Sequence, residues 1–210
     1  MNRVRVKFCG ITQSEDAHAA VNAGADAIGF VLTKRSKRFV DPSLAGEMRK
    51  ALPPFVSAVT LFSDDDEGWV EKSIRDVQPT FLQFHGTETR SYCESFGVPY
   101  IKAIGMASAD GIDEAIAEHP NAAALLFDSH KRGENGGSGI PFDWDTVPKS
   151  LPKPVILAGG LTCDNVALAI RAVRPYAVDV SSGIESAPGI KDAEIMRRFI
   201  NEVRRASGDS

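Results

Sequence analysis

Apolar and polar residues alternate from the start of the chain. Val4, Val6 and Phe8 fall at every second position, the period of a strand with one buried face. The run ends in Cys9-Gly10. Over 13–23 the pattern lengthens to that of a helix, with Ser14 as N-cap, Asp16 in the first turn and Gly24 just past the end. A second apolar run over 27–32 predicts a buried strand. A basic loop follows, and Asp41-Pro42-Ser43 opens a helix reaching about Ala51. Residues 55–62 predict the third strand, and Asp64-Asp65-Asp66-Glu67 brings negative charge to the start of the next helix.

The alternation continues to the end. Strands are predicted over 81–84, ending in His85-Gly86, then over 100–104, and over 122–127, ending in Asp128. Helices over 88–96 and 111–118 separate them. The longest irregular stretch, Ser129 to Pro141, is rich in charge and glycine, and a loop of that length in a compact domain reads as a functional lid. A weak helix is predicted over 144–150. Strand seven, over 154–157, is closed by Ala158-Gly159-Gly160-Leu161, and a helix opened by Thr162, Asp164 and Asn165 runs to near Arg174. Strand eight, over 177–180, is closed by Ser181-Ser182-Gly183, and a last helix covers 192–206 before a tail that should fray.

About eight β-α units follow one another with no linker, so residues 1–210 are expected to form a single (β/α)8 TIM barrel. A doubly wound sheet is the alternative. It would use fewer strands and usually one dominant nucleotide turn, and no GxGxxG follows the first strand.

Composition narrows the setting. With 210 residues, 43% hydrophobic and 25% charged, the chain is an ordinary globular α/β length. The formal net charge of −4, with no basic face beyond Lys34, Arg35, Lys37 and Arg38, argues against a nucleic-acid partner. The three cysteines, Cys9, Cys93 and Cys163, form no CxxC pair, which speaks against a disulfide framework or zinc knuckle and for a reducing cytoplasm. No apolar run is long enough to span a bilayer and no signal-peptide pattern opens the chain, so no membrane partner is expected.

In a barrel of this type the chemistry sits at the carboxyl ends of the strands. Those ends supply Cys9, Arg38, Gln83, His85, Asp128, Gly159, Gly160, Ser182 and Gly183. The glycines after strand seven and Ser182-Gly183 after strand eight could let backbone N–H groups converge on a phosphate, although either could be only a tight turn. Cys9 is a base or nucleophile, or else a small buried hydrophobe. Asp128 is an acid, or else a cap or a partner for a loop lysine. Arg38 could grip a carboxylate through a two-point fork, or lie free on the surface. His85 is a proton carrier, a donor or a structural histidine. Cys93 and Cys163 read as packing residues.

These residues also carry a resemblance. Lys7-Phe8-Cys9-Gly10-Ile11-Thr12 and Gly24-Ala25-Asp26-Ala27-Ile28-Gly29-Phe30 closely resemble the opening of the phosphoribosylanthranilate isomerase family of tryptophan biosynthesis. Leu82-Gln83-Phe84-His85-Gly86, Phe127-Asp128-Ser129, Leu157-Ala158-Gly159-Gly160-Leu161 and Val178-Asp179-Val180-Ser181-Ser182-Gly183-Ile184-Glu185 continue it in the family order. The resemblance implies an Amadori rearrangement of N-(5-phosphoribosyl)anthranilate, a small-molecule substrate, with no metal and no cofactor. It implies Asp128 as general acid, Cys9 as general base, and Arg38 on the anthranilate carboxylate. Gly159, Gly160, Ser182 and Gly183 would hold the phosphate, with Gln83, His85 and Asp179 nearby in substrate-binding roles. The chain departs from the family's pattern at Phe8, usually aliphatic, and around Leu32-Thr33-Lys34-Arg35-Ser36. A sugar-phosphate-binding barrel without catalysis, and an isomerase of another aminosugar phosphate, are the competing readings; the latter would be expected to use paired aspartates. Monomer and homodimer are both open.

Overall fold

The computed structural model describes residues 3–106, 112–129 and 142–208. The proposed lid lies outside the described residues except for Ser129. Eight parallel strands close on themselves in sequence order: β1 (Arg5–Cys9), β2 (Ala27–Val31), β3 (Ser57–Phe62), β4 (Phe81–Phe84), β5 (Tyr100–Gly105), β6 (Ala124–Asp128), β7 (Val155–Leu157) and β8 (Ala177–Val180). Closure is explicit at Lys7, which is in register with Ala27 on one side and Asp179 on the other. Helices α1 (Ser14–Ala23), α2 (Pro42–Lys50), α3 (Glu67–Val77), α4 (Arg90–Ser95), α5 (Ile112–Glu118), α6 (Val166–Val173) and α7 (Ala193–Ser207) fill the connections among the described residues.

The period of two along each strand sorts the core into two regions. Residues of one parity face the helices: Phe8, Phe30, Phe62, Phe84 and Phe127 are fully buried there, and Phe8 meets Phe199 of α7 edge-on at 6.1 Å. Phe84 packs among Tyr92, Phe96 and Tyr100 with ring centroids 5.8–6.1 Å away. Residues of the other parity fill the barrel with smaller side chains, Val59, Ile101, Ala103, Ala124, Leu126, Ile156, Ala158 and Ala177. The bulky outer core fixes the helices, and the slim inner core leaves polar groups room to point inward.

Several expected boundaries shift for local reasons. Helix α1 begins at Ser14 rather than being capped by it; Gln13 is the extended cap residue and makes no side-chain bond. Pro53 and Pro54 hold 55–56 in a turn, so strand β3 starts at Ser57 and Phe55 stands 97% exposed. Thr89 caps α4, two residues later than expected, because Glu88 is drawn inward to pair with Lys102 Nζ at 2.8 Å. The predicted helix over 144–150 is one 3₁₀ turn, Trp144–Thr146, cut short ahead of Pro148. An unpredicted hairpin, β9 (Glu185–Ala187) with β10 (Ile190–Lys191), follows β8 and folds over the barrel's carboxyl end.

Candidate active site

Cys9, Arg38, Gln83, His85, Asp128, Gly159, Gly160, Asp179 and Ser182 line one open cleft at the carboxyl ends of the strands. Gly183 does not line it. Its Cα faces the Leu161 carbonyl so closely that a Cβ could not be accommodated, which leaves only its backbone for any ligand.

Cys9 ends β1, and the alternation that turns Val6 and Phe8 outward turns Lys7 and Cys9 inward. Lys7 is 4% exposed and donates to both carboxylate oxygens of Asp179, at 3.0 and 2.9 Å. Burial works against the charge of both groups. Their mutual attraction, joined by Cys9, nevertheless leaves Lys7 above its usual range, so it keeps its proton. Burial pushes the Cys9 thiol up; Lys7 is the strongest opposing influence, Asp179 adds to the rise, and Lys191 pulls down more weakly. Gly29, in register with Cys9, supplies the space: a Cβ there would lie 2.8 Å from Sγ and 3.1 Å from Lys7 Nζ.

Across the cleft, Asp128 ends β6 with its Oδ2 3.6 Å from His85 Nε2. Fully buried Gln83 places its Nε2 3.2 Å from His85 Nδ1. The two share a hydrogen bond whose direction goes with the His85 tautomer, while Nε2 faces the carboxylate. His85 and Gln83 come together because both belong to the inward parity of β4 and its extension.

Arg38 is tucked in rather than free on the surface. Its Nε and Nη2 donate to Glu185 Oε1 and Oε2 at 2.7 and 2.8 Å, and Lys191 Nζ donates to Oε1 at 2.8 Å. The Glu185 bond, aided by charge, raises Arg38 against the cost of burial, and the two cations hold the Glu185 carboxyl below its usual range although burial alone would raise it. Burial lowers Lys191, with Glu185 opposing. The fork occupies one edge of the guanidinium and leaves the other for a ligand. Gly10, at φ +74, lies beneath: a Cβ there would come within 2.6 Å of Arg38 Cδ.

The glycine turn after β7 needs glycine twice, with φ +81 at Gly159 and +64 at Gly160; a Cβ on Gly159 would come 2.5 Å from the Ser129 nitrogen. After β8 the chain enters a 3₁₀ turn, Ser182–Ile184, whose first N–H groups have no partner within the turn. The two turns meet at Gly183 and Leu161, forming a compact shelf of backbone suited to an anion.

Lys7, Glu185 and Lys191 are the site residues the chain pattern did not single out. For Lys7 the signal was present, two positions from Cys9 on the same strand face. Glu185 and Lys191 gave no local signal, since the hairpin that carries them was not legible. Cys93 is fully buried and pushed up to about 12, and Cys163 is half-buried with its thiol near the Ile195 carbonyl, consistent with packing roles. No helix among the described residues is long and apolar enough to cross a membrane.

Comparison with known proteins points the same way. Residues 6–202 match the family described as N-(5'phosphoribosyl)anthranilate (PRA) isomerase. The chain is 48% identical over 206 residues to the N-(5'-phosphoribosyl)anthranilate isomerase of Stenotrophomonas maltophilia, covering 97% of this chain and 94% of that one. It is 49% identical over 211 residues to the Xanthomonas campestris protein of the same name, covering 97% and 95%. Among solved structures it resembles phosphoribosyl anthranilate isomerase of Thermotoga maritima, with a TM-score of 0.85, 39% identity and 96% and 99% coverage. Another, at TM-score 0.82, 36% identity and the same coverage, is a phosphoribosyl anthranilate isomerase in complex with reduced 1-(o-carboxyphenylamino)-1-deoxyribulose 5-phosphate.

Proposed function

The chain belongs to the N-(5'-phosphoribosyl)anthranilate isomerase family, and we propose that it performs the family's Amadori rearrangement with Asp128 as general acid and Cys9 as general base. It is an isomerase of tryptophan biosynthesis acting on a small-molecule substrate. The whole chain serves as one catalytic unit. The observation that carries the residue roles is the placement of a thiol and a carboxyl, the ends of β1 and β6, in the same cleft.

The sequence of events follows from that placement. Asp128, backed by His85, gives its proton to the ribose ring oxygen; the ring C–O bond breaks and the nitrogen lone pair forms an iminium ion. The iminium withdraws electrons from the neighbouring carbon, which acidifies the C2 proton. Cys9 sulfur takes that proton, the C–H electron pair neutralises the iminium, and the resulting enolamine tautomerises to the ketone. A thiolate is basic enough for a proton so activated, and the inward-facing cations stabilise it.

The remaining residues bind. The free edge of Arg38 takes the anthranilate carboxylate, while Glu185 fixes the other edge. Backbone N–H groups around Gly159, Gly160, Ser182 and Gly183 hold the phosphate. Asp179 and Gln83 line the same cleft and would face the sugar.

The test is the decay of anthranilate fluorescence on freshly generated phosphoribosylanthranilate. The wild type is expected to accelerate it, and Cys9→Ala and Asp128→Asn to reduce kcat by about 10²–10⁴ each. Turnover near wild type in both variants would refute these roles. No decay above the buffer rate in the wild type would leave a sugar-phosphate-binding barrel.

A further inference from the structure

A buried thiol serves poorly as a base, because the interior disfavours its anion. Four charged groups bear on Cys9: Lys7 from its own strand, Asp179 from β8, Lys191 from β10, and Arg38 from the loop after β2. Lys7 stands beside the sulfur over Gly29, since the Cβ that Gly29 lacks would touch both Sγ and Nζ. Lys191 is engaged with Glu185 and with the Ser181 carbonyl at 3.0 Å, and Arg38 is held by Glu185 through Nε and Nη2.

We infer that Lys7 is the positioning residue for the Cys9 sulfur: its ammonium, locked from behind by Asp179 and admitted by the missing side chain at Gly29, is the cation against which the thiolate forms. The two bonds to Asp179 restrain Nζ from swinging into the cleft and hold its charge permanently in place. Lys7 passes no proton. The thiol gives its proton to water as the anion forms, and the sulfur later accepts the C2 proton while Lys7 keeps its own. Asp179 therefore acts twice, as the anchor of Lys7 and, on the reading above, at the sugar. Lys7 is 4% exposed, so its charge is weakly screened by solvent.

This rests on the assignment of Cys9 as base, and the test separates the two. Alkylation of each cysteine by iodoacetamide across a pH series, followed by peptide mass spectrometry, reports the thiolate fraction of Cys9 directly. Cys163 provides an internal rate reference, and buried Cys93 reports loosening of the fold by losing its protection. Lys7→Met is expected to slow Cys9 alkylation at neutral pH at least about tenfold, one unit of thiol ionisation, with Cys93 still protected; Lys7→Arg should restore most of the rate. An unchanged Cys9 rate in folded Lys7→Met would overturn the inference. Should Lys7→Met expose Cys93, the charge-balanced Lys7→Met/Asp179→Asn decides by the same readout. A tenfold slower alkylation with wild-type turnover would uphold the part of Lys7 and remove Cys9 as the base.

Discussion

Arg38 and Glu185, 147 residues apart, meet as a fork: Nε and Nη2 of one face Oε1 and Oε2 of the other at 2.7 and 2.8 Å. Glu185 also carries Lys191, so a single carboxylate serves two cations at the mouth of the cleft. Removing it strands both. Glu185→Gln is expected to cost about 3 kcal/mol of stability at neutral pH, measured by urea denaturation. The carboxyl is held below its ordinary 4.5, so the stabilisation is present above that value and lost as pH falls through the lowered one. The wild type and variant should therefore converge in acid. Turnover should show KM rising more than kcat falls, since Arg38 loses its anchor and not its charge.

Two glycines separate site from scaffold. Gly29→Ala puts a methyl 2.8 Å from the Cys9 sulfur, and kcat/KM is expected to fall at least tenfold. Gly46→Ala, in α2, presses on the Asp76 carbonyl at 2.5 Å; it should lower the melting temperature at a cost of about 1–3 kcal/mol yet leave turnover per folded molecule unchanged.

Gln83 acts through His85. With Gln83→Leu, Nδ1 of His85 loses its hydrogen-bond partner, and the bond that holds the imidazole to one tautomer goes with it. Nitrogen NMR shifts of His85 should move toward a tautomer mixture, and kcat should drop about tenfold. An unmoved NMR signature would mean that the tautomer is set by another contact.

Asp41 caps α2 by accepting from the Ser43 N–H at 2.9 Å. The Ser43 hydroxyl and backbone N–H, both donating to it, hold the carboxyl below its ordinary 3.8. Asp41→Ala is expected to cost about 1 kcal/mol at neutral pH. Because the folded carboxyl is depressed, that difference is complete above 3.8 and fades as pH falls through the lowered value, which denaturation at a series of pH values would follow.

The sequence by itself determined the order of the barrel's strands and helices, the strand ends and so the residues that stand there as candidates for acid and base. Periodicity and turn chemistry are local, and the end of a barrel strand is where the site must be; Cys9, His85, Asp128 and Gly159-Gly160 were all found that way. The same locality explains the misreadings at Phe55, Glu88 and 144–150, where prolines or a distant lysine overrode propensity. Which charges face one another was decided only by the tertiary structure. Lys7 and Asp179 are 172 residues apart, and they meet because β1 and β8 close the barrel in a register that sets them side by side. Arg38 is turned from a surface residue into a fixed one by a hairpin that folds back from the far end of the chain. Parity along a strand says which way a side chain points, but only closure and register say what it finds there.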